Sequence, residues 1–414
     1  MRLLSNLLGR FVQNGSLRLT DANGRAHVFG AGRPGPSVAV RLHDPRLHFR
    51  LFANPELHAG EAYMDGTLTF EDGSGVGDLM LLFALNRTGL RGHASQRLAR
   101  RLRRALRRWH QANPIGVAAA NARHHYDLST DLYRLFLDDG LNYSCAVFED
   151  PERDTLEDAQ RRKLLRATAK LRLRPGMAVA EIGSGWGSLA IHIARATGAR
   201  MVAINISPEQ IRVSRERAEE AGVSDLVEFR ELDYRALEGR FDRVVSVGMM
   251  EHVGVGNFDA YFRKVRGLLA EDGYAFVHCI GRKGPPGSTN PFVRKHIFPG
   301  SYAPSLSEVF AATERAGLWA ADMEVLRLHY AHTLRHWRER FAANRDRAAA
   351  LYDERFCRMW EWYLAAVEVG FRHGGQMVFQ LLLSTRVDAV PILRDFMVDE
   401  ARARSGGAAA LAAD

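Results

Sequence analysis

Cysteine is nearly absent from this chain: three in 414 residues, Cys145, Cys279 and Cys357, far apart in sequence. That scatter suggests neither a disulfide framework nor a zinc cluster, and such usage fits a reducing compartment. Long apolar runs are lacking too. The stretch 79–85 is far too short to span a bilayer. The first ten residues, Met-Arg-Leu-Leu-Ser-Asn-Leu-Leu-Gly-Arg, are interrupted by polar groups too early for a signal peptide, so a cytoplasmic protein is expected. Acidic residues are outnumbered, 48 against 57 Lys and Arg. The resulting formal charge of +9 points to an anionic partner, either nucleic acid or an acidic membrane surface. No internal repeat, nucleophile elbow or Ser/His/Asp arrangement is present, and no metal is expected. His124 and His125 are adjacent, so on a regular element they would point apart.

What is present centres on residues 177–191, Met-Ala-Val-Ala-Glu-Ile-Gly-Ser-Gly-Trp-Gly-Ser-Leu-Ala-Ile. Apolar residues through Ile182 read as a buried strand, and those from Leu189 onward as a helix. Between them Gly183, Gly185 and Gly187 make a turn too tight for side chains, where backbone N–H groups can lie against a ligand. The dinucleotide form of this turn needs glycine at position 188, and this chain has Ser188. The G-x-G-x-G spacing preceded by Glu181 is the form found in S-adenosylmethionine-dependent methyltransferases. A glycine turn that only packs a helix on a sheet is the alternative.

Residues 1–90 read as a small β-rich module, with turn signals separating short alternating runs such as 37–42 and 47–51. The segment Glu61-Ala-Tyr-Met-Asp-Gly66 leads into a helix over 76–85. From 91 to 112 the character changes. Arg97, Arg100, Arg101, Arg103, Arg104, Arg107 and Arg108 crowd a helix whose Leu98, Leu102, Ala105 and Trp109 share one face. Such a helix suits an anionic membrane interface, or is a solvated linker. Nucleic acid is the third reading, without a recognisable binding motif.

Residues 113–400 read as the catalytic domain, followed by a flexible small-residue tail over 401–414. After the glycine turn, strands are predicted at 200–205, 226–231, 241–247 and 273–279, with helices opening at Ser207-Pro208 and spanning 258–269. Strands alternating with helices give an open, mostly parallel α/β sheet; with the glycine turn's likeness to S-adenosylmethionine-dependent enzymes, a Rossmann-like methyltransferase sheet with added helices is expected. Ligands in such sheets sit at the carboxyl ends of the strands. Those ends carry Ile182, Asn205, Asp233-Tyr234, 248–252 and His278. Glu251 and His278 are singled out as two titratable groups at adjacent strand ends. The plain alternative is that each caps its strand.

The segment 125–133, His-Tyr-Asp-Leu-Ser-Thr-Asp-Leu-Tyr, with Asn142-Tyr143-Ser144-Cys145-Ala146, resembles cyclopropane-fatty-acyl-phospholipid synthases. The resemblance continues through 181–187, 233–235, 241–254, 297–300, His329-Tyr330 with Thr333-Leu334 and Trp337, 370–372 and Gln380. The N-terminal module is similar to the extra domain of the bacterial phospholipid-acting members.

The resemblance implies methyl transfer from S-adenosylmethionine to a cis double bond of a phospholipid acyl chain, then loss of a proton and closure of a cyclopropane ring. It implies a bound bicarbonate as base, held by Cys145 (backbone), Glu251, His278, Ile280 (backbone) and Tyr330. For the cofactor it implies Tyr126, Ser144, Gly183, Gly185, Asn205, Gln210 and Tyr234, with Gly187 completing the turn. Membrane phospholipid as partner, peripheral association with the inner membrane face and a homodimer are further expectations. Departures are Ser184 for a usual Cys, Met250 for a usual Phe and Asn205 for a common Thr. C-methylation without ring closure is the rival reaction, and a non-catalytic membrane-binding homologue the rival class.

Overall fold

The computed structural model describes residues 1–30, 32–87 and 128–411, the side chains of 404–411 excepted. The arginine-rich segment 91–112 and Tyr126 therefore lie outside the described residues. Two compact units are present.

The first unit contains residues 1–87, 287–299 and 334–375 of those described. Its sheet has the order β2-β1-β3-β4, built from β1 (Asn14–Thr20), β2 (Ala26–Phe29), β3 (Arg33–Leu42) and β4 (Leu68–Glu71). The alternating run 47–51, read as extended, is instead part of the helix Leu47–Ala53. Leu47 and Leu51 are one helical turn apart and both buried, whereas Phe49 is exposed, so period 3.6 prevails over period 2. The predicted helix is present as Val76–Leu85, and Glu61 sits on the helix Pro55–Met64.

Besides residues 1–87, this unit takes in two later segments, 287–299 and 334–375. The helix Glu354–Arg372 packs on Val76–Leu85 and Pro55–Met64, so Trp360, Tyr363 and Phe371 supply core to the N-terminal unit. Close packing fixes the contact: a Cβ on Gly60 would lie 2.4 Å from the Phe292 ring and 2.8 Å from Trp362 Nε1. Buried Glu61 is ringed by hydrogen-bonding partners, the cations Lys295 at 2.5 Å and Arg50 at 3.1 Å and the imidazoles of His58 at 2.9 Å and His296 at 3.2 Å. Burial alone would raise its pKa, but these partners prevail and hold it at about 2.

The second unit holds the seven-stranded sheet, in the order β10-β11-β9-β8-β5-β6-β7. Its strands are β5 (Ala178–Ile182), β6 (Arg200–Asn205), β7 (Val227–Glu231), β8 (Phe241–Val247), β9 (Leu269–Arg282), β10 (Trp319–Val325) and β11 (Gln376–Ser384). From β7 to β9 every pairing is parallel, while β11 runs antiparallel to β9 and β10 antiparallel to β11. The order reverses beside β5, which puts the glycine turn at the switch point where such sheets bind ligands. Apolar clusters cover both faces: Val244, Phe262, Val265 and Phe379 in one, Ile193, Met201, Phe229 and Phe276 in the other. Beyond β11 the backbone of the expected flexible tail is helical through Leu411, in keeping with its alanine content.

Candidate active site

The glycine turn divides its labour. Gly183, Gly185 and Gly187 all have positive φ, +86°, +55° and +81°. A Cβ on Gly187 would lie 2.7 Å from the Phe229 ring, so this glycine is required for close helix–sheet packing. A Cβ on Gly183 would press on Met249 at 3.0 Å, whereas one on Gly185 would enter open space. The Gly185 carbonyl is braced from behind by Asn205 Nδ2 (3.3 Å) and Ser214 Oγ (3.2 Å). Asn205 also donates to Gln210 Oε1 at 2.7 Å and accepts from the Ile206 N–H at 2.7 Å. Its side chain therefore holds the turn, and Gln210 Nε2 is left buried without a partner among the described residues.

The segment after 127 docks on this turn. Thr130 Oγ1 accepts from Trp186 Nε1 (3.2 Å) and donates to Glu209 (3.2 Å), and the Tyr133 ring packs 4.8 Å from Trp186. The Asn142–Cys145 loop is held by the helix Leu156–Leu171: Gln160 Nε2 donates to the carbonyls of Ser144 (2.9 Å) and Asn142 (3.2 Å), and Lys163 Nζ to Asn142 Oδ1 (2.6 Å). Thr333 Oγ1 accepts the Ala146 N–H at 3.1 Å, and His329 Nδ1 the Phe148 N–H at 3.2 Å. The first turn of the helix His329–Ala343 thereby brings Tyr330 to the Cys145 loop. Both residues are buried, and burial pushes the Cys145 thiol far up, so its chemistry at neutral pH is that of a neutral thiol and a backbone. Tyr234, in the turn after β7, packs edge-on against Tyr261.

The strand expected over 273–279 is longer, Leu269–Arg282, and pairs with β11 through Arg282, so His278 is not at its end; it stands opposite Val247, where β8 stops, and there the carboxylate and the imidazole assemble. Glu251 lies in the short 3₁₀ turn Met250–His252, and its Oε1 accepts the Ile280 N–H at 2.5 Å. That bond occupies the backbone N–H of Ile280, leaving its carbonyl, which accepts from Cys279 Sγ at 3.1 Å. Glu251 Oε2 has no hydrogen-bond partner among the described residues, and burial pushes the carboxyl up to about 7. His278 is 2 % exposed. Burial first, then the charges of Lys163 and Lys170, lower its pKa to about 3, so the ring is neutral. Met250 is fully buried in the core cluster with Tyr261 and Phe262, so this departure from phenylalanine is a core-packing position.

Among the described residues Glu181 Oε2, Ser184 Oγ, Gln210 Nε2 and Glu251 Oε2 are buried and unpartnered around this turn and its neighbouring strand ends. Folded proteins leave few such groups, and this concentration is what a site for a polar ligand presents. The open side of Gly185 and the free Gln210 amide fit S-adenosylmethionine, and Glu251 Oε2 fits a small hydrogen-bonding ion.

The family described as "Mycolic acid cyclopropane synthetase" matches residues 116–381 of this sequence. The chain belongs to that family. It is 35% identical over 350 residues to the cyclopropane-fatty-acyl-phospholipid synthase of Escherichia coli, covering 84% of this chain and 88% of that one. Over 407 residues it is 36% identical to the tuberculostearic acid methyltransferase of Mycobacterium tuberculosis, covering 92% and 90%. The crystal structure of the mycolic acid cyclopropane synthase CmaA1 with S-adenosylhomocysteine superposes with a TM-score of 0.61 at 31% identity, over 64% of this chain and 97% of that one. The protein is accordingly an S-adenosylmethionine-dependent methyltransferase of the cyclopropane and fatty-acid methyltransferase family.

The sequence singled out Glu251, His278, Ile280, Cys145 and Tyr330 from separate parts of the chain. In the fold Glu251 bonds Ile280, which shares β9 with His278, while Thr333, on the same helix as Tyr330, bonds Ala146, the neighbour of Cys145. Lys163, Gln160 and Lys170 were missed. Their signal is faint, since polar residues inside a helix read as its solvent face until the sheet covers them.

Proposed function

We propose that this enzyme methylates a cis double bond of a phospholipid acyl chain and closes a cyclopropane ring, with bicarbonate as the base. The observation that carries this reading is Glu251: a buried carboxyl with one oxygen fixed to the Ile280 N–H and the other unpartnered, beside a neutral His278. When bound, S-adenosylmethionine supplies the methyl group as an electrophile. Gly183, Gly185, Gln210, Ser144, Tyr234 and Tyr126 would hold it, with Asn205 shaping the turn.

An alkene is a poor nucleophile, so the residues around it must exclude water and fix its alignment. Cys145, Tyr330, Glu251 and His278 are all buried, as that demands. Glu251, His278 and Tyr330 would hold the bicarbonate, which would supply a base for the proton lost as the ring closes. The positive field of Lys163 and Lys170, which lowers the pKa of His278, favours an anion at the same place. Toward such an ion His278 would donate a ring N–H and Tyr330 its hydroxyl, and Glu251 would accept. With the carboxyl near 7, Glu251 also sits where its protonation responds to neutral pH.

C-methylation without ring closure is the second reading. It is favoured by one observation, that a tuberculostearic acid methyltransferase is as similar to this chain as a cyclopropane synthase is. The phospholipid substrate places the enzyme at an anionic membrane surface, and the arginine-rich segment 91–112 is the part of the sequence suited to dock there. No helix among the described residues is long and apolar enough to cross a membrane. The bicarbonate reading is tested by assay in carbonate-free buffer: turnover should fall and recover on adding bicarbonate, and a rate indifferent to bicarbonate overturns it.

A further inference from the structure

Lysine is scarce in this arginine-rich chain, yet Lys170 is buried, 2 % exposed, under the sheet that carries His278. The register explains what it does there. Glu324 on β10 stands opposite Gln380 on β11, and Gln380 stands opposite His278 on β9, so three strands set these side chains in one row. Lys170, from the helix Leu156–Leu171, closes the row: its Nζ is 2.5 Å from Glu324 Oε2 and 2.5 Å from Gln380 Oε1. Gln380 Nε2 is 3.1 Å from His278 Nδ1.

Each step of this row has one polarity. Glu324 is held as a carboxylate by Lys170 and by Arg166 at 2.8 Å, and a carboxylate only accepts. Lys170 therefore faces it as an ammonium, which only donates. The Gln380 group turned toward Lys170 must then be the amide oxygen, since the reversed amide would set NH₂ against NH₃⁺. The amide NH₂ is consequently the group turned toward His278, and it can only donate. The nitrogen that receives it must offer a lone pair.

We propose that Gln380, clamped by Lys170, is a positioning residue that fixes the tautomer of His278: Nδ1 is the acceptor, and the single ring proton resides on Nε2. The low pKa of the buried ring agrees, because a neutral imidazole has one proton to divide between two nitrogens. The consequence rests on the functional reading given above. His278 is then an obligate Nε2–H donor toward a bound anion, with its other nitrogen unable to serve as the base. The base has to be something else. The sequence pattern could not have shown this, because the amide orientation is imposed by a lysine 210 positions away in the chain.

The test is a long-range ¹H–¹⁵N spectrum of the full-length protein labelled with ¹⁵N-histidine, with the His278 signals identified by their loss in His278→Asn. The unmodified protein should show the Nε2–H pattern for His278, and an Nδ1–H or doubly protonated pattern overturns the proposal without any variant. Gln380→Glu replaces the donor by an acceptor, so the proton should move to Nδ1 or the ring should become doubly protonated. Turnover should fall by about 10- to 100-fold, the range for losing a group that orients a functional imidazole. S-adenosylhomocysteine affinity by calorimetry should stay within about twofold, because Gln380 lies outside the cofactor turn. An unchanged Nε2–H pattern in Gln380→Glu also overturns the proposal. The functional reading fails separately: if His278→Asn keeps full turnover while the tautomer is as stated, the tautomer assignment stands and the donor role does not.

Discussion

Glu251 and Ile280 meet where β8 stops beside β9, with Oε1 of the carboxyl 2.5 Å from the backbone N–H. The second oxygen is buried and unpaired among the described residues. The cost is electrostatic. Burial raises the carboxyl from 4.5 to about 7, so the charged form is tolerated by the fold and not favoured by it.

Glu251→Gln keeps an oxygen for the Ile280 N–H and removes the charge. Its turnover should fall by about 10²–10⁴, with cofactor affinity nearly intact, as for a lost general-base function. The stability change has the opposite sign. A carboxyl raised in the folded state destabilises it progressively as pH climbs from 4.5 through about 7, by roughly 3 kcal/mol over that window. Urea midpoints should therefore show the variant gaining on the parent between pH 5 and pH 8. A variant that is less stable at pH 8 yet fully active per folded molecule would mean that Glu251 only caps its strand.

The glycines separate in the same way. Gly185→Val places a side chain in the open space beside the turn and should abolish S-adenosylmethionine binding while circular dichroism stays normal. Its φ of +55° adds strain of about 1–3 kcal/mol. Gly187→Ala should instead lower the melting temperature through its 2.7 Å contact with Phe229. Unchanged affinity in the folded Gly185→Val protein would remove the cofactor from this turn.

Much of this was legible before the structure. The strands 200–205 and 241–247 and the helix 76–85 fall where their apolar patterns and turn signals put them. Strand ends converge because parallel topology leaves no other arrangement, so Glu251 and His278 could be paired on sequence alone. What could not be read depends on partners distant in the chain. The aromatic helix Glu354–Arg372 carries no mark that it packs with residues 1–87, and period 2 and period 3.6 coincide over a run as short as 47–51. Asn205, expected at the cofactor, spends its amide on Gly185 and Gln210, a choice set by the turn geometry and not by the residue type.

Glu61 predicts an acid-sensitive first unit. Its pKa falls from 4.5 to about 2 on folding, so its contribution is present above pH 4.5 and is lost as pH drops toward 2. Glu61→Gln should cost up to about 3 kcal/mol at pH 7, the worth of lowering the buried carboxyl from 4.5 to about 2 beside Lys295 and Arg50. That difference should shrink below pH 4. A gap between variant and parent that is constant from pH 7 to pH 3 would show that Arg50 and Lys295 add nothing through charge.

Docking on an anionic surface predicts a salt effect. Replacing Arg100, Arg101, Arg103 and Arg104 by Gln should weaken sedimentation with anionic vesicles, and added salt should mimic the change in the parent. Equal sedimentation of both proteins would make this segment a linker.

The most direct measurement is the mass of the product lipid, from purified protein supplied with S-adenosylmethionine and vesicles of a cis-monounsaturated phospholipid. Ring closure adds one CH₂, a gain of about 14 mass units, and the product should resist hydrogenation under conditions that reduce an alkene. Methylation with reduction of the double bond gives a gain of about 16. We expect the gain of about 14 in the parent and its near-disappearance in Glu251→Gln. A gain of about 16, a 14-unit product that still takes up hydrogen, or an unmodified lipid would contradict cyclopropane formation.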